Sequence, residues 1–138
     1  MNVLFVCTEN LVRSRIAERL FRELQGDRPR HGTRAVGTAW HAPRRLTTRD
    51  LAWADLVAVM EPAHRELIRK HWPHHADRIE VIGISNHFLA EEHELRATLE
   101  PRLRALLARC DGGEDGRADG RGGRAAAAGR TVPDREGA

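Results

Sequence analysis

Residues 2–25 read NVLFVCTENLVRSRIAERLFRELQ, and the fold is decided here. The run Asn2 to Val6 is apolar beyond its first residue. A strand apolar on both faces belongs in the middle of a sheet covered by helices on each side. A loop from Cys7 to Val12 follows, and then Arg13 to Gln25 carries Ile16, Leu20 and Leu24 at four-residue intervals, flanked by Ala17 and Phe21. Arg15, Glu18, Arg22 and Glu23 fall on the other side. That spacing predicts an amphipathic helix with Gly26 as its stop signal.

Working outward, the same alternation repeats along the chain. A weaker strand is expected at about Thr33 to Gly37, a short helix at Thr48 to Ala54, and a doubly apolar strand at Leu56 to Met60 (LVAVM). Pro62 suits the first turn of the next helix, whose apolar stripe is Leu67, Ile68 and Trp72, with Pro73 ending it. Ile79 to Ile84 (IEVIGI) reads as the fourth strand. The last helix is expected from about Glu92 to Arg109, with Leu95, Leu99, Leu103, Leu106 and Leu107 inward and a kink or restart at Pro101. Strands alternating with helices predict an α/β fold: a doubly wound, four-stranded parallel sheet with helices on both faces. Ligands in such folds sit at the carboxyl ends of the strands. Here those ends are Cys7 onward, Thr38 onward, Glu61, and Ser85 onward.

The 138 residues are enough for one domain and not two. Residues 111–138 include 8 glycines, no aromatic side chain and one large aliphatic, Val132. Such a segment buries too little apolar surface to offset its chain entropy, so a disordered tail is expected beyond an α/β domain of residues 1–110. No run approaches the length of a membrane span, and the short apolar start lacks the basic lead of a signal peptide. Two cysteines, Cys7 and Cys110, make neither a disulfide framework nor a four-cysteine zinc site, and fit a reduced, cytoplasmic setting. Residues 1–110 hold 18 basic and 14 acidic side chains, well mixed in sign. Nucleic-acid binding would want clustered charge and stacking aromatics, so an ordinary arginine-rich surface is expected instead.

The loop Cys7-Thr8-Glu9-Asn10-Leu11-Val12-Arg13-Ser14 carries the chemistry. It joins a strand's carboxyl end to a helix N-terminus. Its successive backbone N–H groups can curl around one point, a nest suited to an oxyanion with several acceptors. Arg13 closes the ring with a bidentate fork that lysine would not supply. The same positive field favours thiolate over thiol, and the thiolate is the nucleophile. Attack on phosphorus gives a phosphocysteine that water hydrolyses. The plainer alternative makes Cys7 a small buried residue and Arg13 a surface ion-pair partner. Asn10 and Ser14 in the same loop favour the oxyanion-binding thiol.

With these residues in view, VLFVCTENLVRSRIAERLF resembles the opening of the low-molecular-weight protein tyrosine phosphatases, with their C-x-G-N-x-C-R-S-P loop. Arg34-Ala35-Val36-Gly37-Thr38 is similar to that family's R-S-A-G-T. Ala54-Asp55-Leu56-Val57-Ala58-Val59-Met60-Glu61 with His64 resembles the A-D-L-[IV]-x-V-M-E-x-x-H stretch of a compact bacterial branch of predicted tyrosine phosphatases. The likeness covers about residues 2–107. It implies Cys7 as nucleophile and Arg13 as phosphate clamp. It also implies Thr8, Glu9, Asn10, Leu11 and Val12 lining the phosphate, Asn10 holding the loop backbone, and the Ser14 hydroxyl bonding the Cys7 thiolate. Trp40 falls where the family places an aromatic wall, although simple packing would also account for it. The substrate implied is a phosphorylated protein or small aryl phosphate, with no metal or cofactor.

The chain departs from that pattern at four points. Glu9 stands at the glycine position, Val12 at the second cysteine, and Ala35 at a serine that supports the loop. The D-P pair that supplies the family's general acid is absent. In its region the chain reads ISNHFLAEEHEL over residues 84–95, with Glu92 on the expected aspartate and His87 and His93 as other candidates. His71, His74 and His75 bracket Pro73 without nearby cysteine, and read as solvated histidines near a helix end rather than metal ligands. Two further readings stand beside phosphatase activity: an oxyanion-binding module whose catalysis has weakened through Glu9 and the missing aspartate, and arsenate reduction. For the latter, Cys110 would be a poor electron relay.

Overall fold

A computed structural model describes residues 1–9, 12–85 and 91–116, with side chains to residue 112. The chain runs β1 (Asn2–Cys7), α1 (Arg13–Leu24), β2 (Gly32–Gly37), α2 (Thr48–Trp53), β3 (Leu56–Val59), α3 (Pro62–His71), one 3-10 turn (Pro73–His75), β4 (Ile79–Val81) and α4 (Glu92–Gly116). The four strands are all parallel in the order β2-β1-β3-β4. The expected doubly wound sheet is therefore present, with β1 central as its unbroken apolar run requires.

Successive β1 side chains alternate between the two faces. Val3, Phe5 and Cys7 pack with Ile16, Leu20 and Phe21 of α1 and Leu95, Leu99, Leu103 and Leu106 of α4. Leu4 and Val6 pack on the other face with Leu51 of α2, Val57 and Val59 of β3, and Ile68 of α3. Each such side chain removed from water contributes on the order of 1.5–3 kcal/mol. The register sets Cys7 opposite Gly37 and Val6 opposite Val59, so β1, β2 and β3 end at one rim.

Two elements differ from the expected bounds. β4 stops at Val81 rather than Ile84. Gly83 adopts φ +89, a left-handed conformation that ends extended pairing. The N–H groups of Gly83 and Ile84 both donate to the Met60 carbonyl, which turns the buried Ile84 into the core. α4 carries Pro101 inside one continuous helix instead of restarting there. Pro101 and Ala97, whose carbonyl loses its donor, are both exposed, so the solvent side absorbs the missing bond.

α4 also runs on to Gly116, six residues beyond Cys110 and into the segment expected to be tail. Cys110 is buried, and Asp111 accepts hydrogen bonds from Arg30 (2.7 Å) and His31 (2.7 Å), which anchors the added turns. Residues 117–138 lie outside the described residues. Among the described residues, no helix is long and apolar enough to cross a membrane.

Candidate active site

The carboxyl rim of the sheet gathers the chemistry. Cys7 is the last residue of β1 and is buried. Its thiol donates to Ser14 Oγ at 3.0 Å. In the thiolate the same contact reverses, with the hydroxyl donating to sulfur. Carbonyls on both sides of the loop's first bend are fixed by the chain after β2: Thr38 N–H donates to Cys7 O (2.9 Å) and Ala39 N–H to Thr8 O (2.8 Å).

The helix ends differ in how they are capped. α2 has a capping box from Thr47 and Asp50, and α3 has one from Glu61 and His64. α1 begins at Val12, which has no side chain able to cap, and its first turn contains no acidic residue. The positive end of α1 therefore points into the loop without a carboxylate or hydroxyl of its own cap against it.

Arg13 is buried, and its Nη1 donates to Glu61 Oε2 at 2.6 Å and to the Ile84 carbonyl at 2.8 Å. A buried guanidinium held by a carboxylate and a carbonyl has a fixed plane, which bidentate recognition needs. Glu61 follows β3 and Ile84 follows β4, so the Arg13 guanidinium is braced from the two strands beyond β1.

His64, only 4 % exposed, joins this group from the first turn of α3. Its Nδ1 accepts from the Glu61 backbone N–H at 3.1 Å, so the ring proton sits on Nε2 and is donated to Thr8 Oγ1 at 3.0 Å. Burial, with the neighbouring Arg13 charge second and Glu61 opposing, pushes its pKa down from 6.5 to about 4. The ring is neutral at pH 7.

The remaining sequence-derived candidates divide. Glu9 is exposed and directs its carboxylate to His41 Nε2 at 3.4 Å, toward the chain after β2. Trp40 is 79 % exposed, with its ring edge-on to His41 at 5.4 Å between centroids, and so packs into no core. Val12 is exposed at the helix start, while Asn10 and Leu11 lie outside the described residues. Glu92 opens α4 and pairs with Arg19 at 3.4 Å, both about half exposed. His93 is exposed and lies 3.5 Å from Glu91, and His87 lies outside the described residues. Cys110, on α4, is buried in the core that α4 shares with β1 and α1. Among the described residues, no group of three or more His, Cys, Asp or Glu side chains is arranged to hold a metal.

Sequence reasoning assigned no role to Glu61 or His64, although both stand in the M-E-x-x-H stretch. Their signal was position: a carboxylate at the end of β3 and a histidine three residues later share the rim with Cys7.

The architecture is similar to that of solved low-molecular-weight phosphatases. Similar solved structures include a YwlE arginine phosphatase from Geobacillus stearothermophilus, with TM-score 0.67, 18% identity, and coverage of 87% of this chain and 97% of that one. The tyrosine phosphatase Wzb from Escherichia coli K30, in complex with phosphate, gives 0.66 and 20%, covering 78% and 96%. A low-molecular-weight protein tyrosine phosphatase from T. tengcongensis gives 0.66 and 21%, covering 79% and 99%. No protein-family model matches the chain, and no curated protein matches it.

Proposed function

We propose that this chain is a phosphatase that hydrolyses phosphotyrosine or a related aryl phosphate ester through a phosphocysteine intermediate. The observation that carries the reading is the Cys7 sulfur 3.0 Å from Ser14 Oγ, at the start of a helix not capped by its own residues and beside the buried Arg13. The phosphatase names of the structural neighbours support the same reading. In the first step the Cys7 thiolate attacks phosphorus, an S–P bond forms, and the P–O bond to the aryl group breaks. The aryloxide takes a proton from an acid as it leaves. In the second step water attacks phosphorus, the S–P bond breaks, and inorganic phosphate departs with the thiolate restored. Arg13 and the loop amides hold the phosphoryl oxygens, and their field supports the charge that builds on them.

Trp40 offers an open aromatic face close to the loop, which favours an aryl leaving group. Glu92 is the carboxylate proposed to donate the proton, since its exposed pair with Arg19 is worth only ~0–1 kcal/mol and exchanges readily. A sequence with only two cysteines fits a reduced, cytoplasmic setting.

Purified protein should release phosphate from p-nitrophenyl phosphate. Cys7→Ser should abolish turnover while still binding inorganic phosphate, and Arg13→Lys should be severely impaired because a point charge cannot replace the fork. Wild-type turnover in Cys7→Ser would rule the mechanism out, and phosphate binding without turnover in the wild type would leave an anion-binding module. Peptides bearing phosphotyrosine and phosphoarginine, assayed side by side, test the aryl preference. Glu92→Gln should slow phenyl phosphate far more than p-nitrophenyl phosphate, because only the poorer leaving group depends strongly on the acid. Equal effects on both esters would remove Glu92 from that role.

A further inference from the structure

The phosphatase reading gives roles to Cys7, Arg13 and Ser14 but none to the buried histidine beside them. Among the described residues His64 is one of few buried polar side chains, and both of its ring nitrogens are used. A histidine needed only as a helix cap would use Nδ1 on the Glu61 N–H and leave Nε2 to water. Here Nε2–H instead reaches a residue 56 positions earlier, the hydroxyl of Thr8, which directly follows the nucleophile. The backbone N–H that Nδ1 accepts belongs to Glu61, whose carboxylate grips Arg13.

We propose that His64 is a positioning residue for this site: one ring sets Thr8 beside the nucleophile and the Glu61 backbone behind the arginine clamp, fixing the spacing between Cys7 and Arg13. Thr8 and Arg13 lie at the loop's two ends; the chain after β2 holds the Thr8 carbonyl, and one further body holds the Thr8 hydroxyl and the Arg13 guanidinium. The first turn of α3 is that body, with His64 contacting one end and Glu61 the other. A positioning group of this kind acts in its neutral form, where Nδ1 accepts while Nε2 donates; the imidazolium, with two donors, would lose the Glu61 contact.

The inference rests on the phosphatase reading, and two substitutions separate its parts. In His64→Gln the amide nitrogen reaches the place of Nε2 and still donates to Thr8, but the Glu61 N–H loses its acceptor. In His64→Asn the amide oxygen sits near Nδ1 and still accepts from Glu61, but the Thr8 bond is lost. Positioning predicts that His64→Gln, which keeps the Thr8 bond, loses less kcat/KM for p-nitrophenyl phosphate than His64→Asn, although its Tm falls further. It predicts that His64→Asn loses about tenfold in kcat/KM, the effect of one lost hydrogen bond, while its Tm stays above that of His64→Gln. Affinity for inorganic phosphate, measured by calorimetry, should follow the same order. A residue that only caps α3 would give the two variants turnover in the order of their Tm values, and that result overturns the proposal, as does unchanged turnover in His64→Asn. If the wild type binds phosphate without turning over ester, the phosphatase reading fails while the calorimetric order still decides the role of His64. If the wild type neither binds phosphate nor turns over, both fall.

Discussion

At the scale of single residues, His64 and Glu9 show what burial does to a charge. His64 is buried beside Arg13, so protonation is costly in the folded chain and ordinary in the unfolded one. As pH falls through 6.5, the unfolded state takes up a proton that the folded state refuses until about 4. Stability is therefore complete above 6.5 and declines between 6.5 and 4, by on the order of 3 kcal/mol for this group. Urea unfolding of wild type and His64→Gln across that range should differ in slope, with the variant the flatter. Equal slopes would mean that the ring is protonated in the folded chain. Glu9 is the opposite case, a carboxylate at the loop that is exposed and loosely paired with His41. Its repulsion of a phosphate dianion is screened, so Glu9→Gln should lower KM by no more than a few fold. That gain should shrink as salt rises from 10 mM to about 500 mM, the range over which the Debye length falls below loop dimensions.

Elements were legible wherever the apolar pattern was long. β1, α1, β3 and the inward leucines of α4 follow from their spacing, because burial on one or both faces selects the residues directly. Partners distant in the chain were not legible. A histidine in the first turn of a helix reads as a cap, and nothing in its neighbourhood points to Thr8. The shortness of β4 depends on which backbone accepts from Gly83 and Ile84, a matter of tertiary placement. The end of α4 was misjudged for a similar reason. Its glycines weigh against helix, but the buried Cys110 and the Asp111 pairs with Arg30 and His31 hold its next turn. Those two hydrogen bonds keep the Asp111 carboxyl below its usual pKa, so their contribution is present above about pH 4 and fades as pH falls further. Truncation after Cys110 should lower Tm by several degrees, as expected for ~1 kcal/mol in a domain of this size. Truncation after Gly116 should leave Tm and turnover unchanged, as the composition of residues 117–138 implies. Equal melting of the two truncated chains would show that Asp111 contributes nothing.

Across the whole molecule, stability and chemistry occupy opposite rims of one sheet. Asp111 meets His31 just before β2, at the rim where the strands begin, whereas Cys7, Arg13 and His64 gather where they end. A six-residue strand separates the rims by roughly 17–20 Å. Substitutions at the two ends should therefore add independently: Asp111→Ala combined with His64→Asn should cost the sum of the single changes within about 0.5 kcal/mol. A larger coupling, read from denaturant melts of all four proteins, would mean that β1 transmits strain along its length. The packing of α4 over β1 also has a consequence for synthesis. β1 is made first, yet Val3, Phe5 and Cys7 gain part of their cover only from Leu95, Leu99, Leu103 and Leu106, made last. At about 5–20 residues per second, the roughly 100 residues in between leave that face open on the ribosome for about 5–20 s. Cys7 in stalled nascent chains ending before α4 should react quickly with an alkylating agent, and slowly once α4 has emerged: the newborn chain carries this thiol uncovered until its last helix arrives.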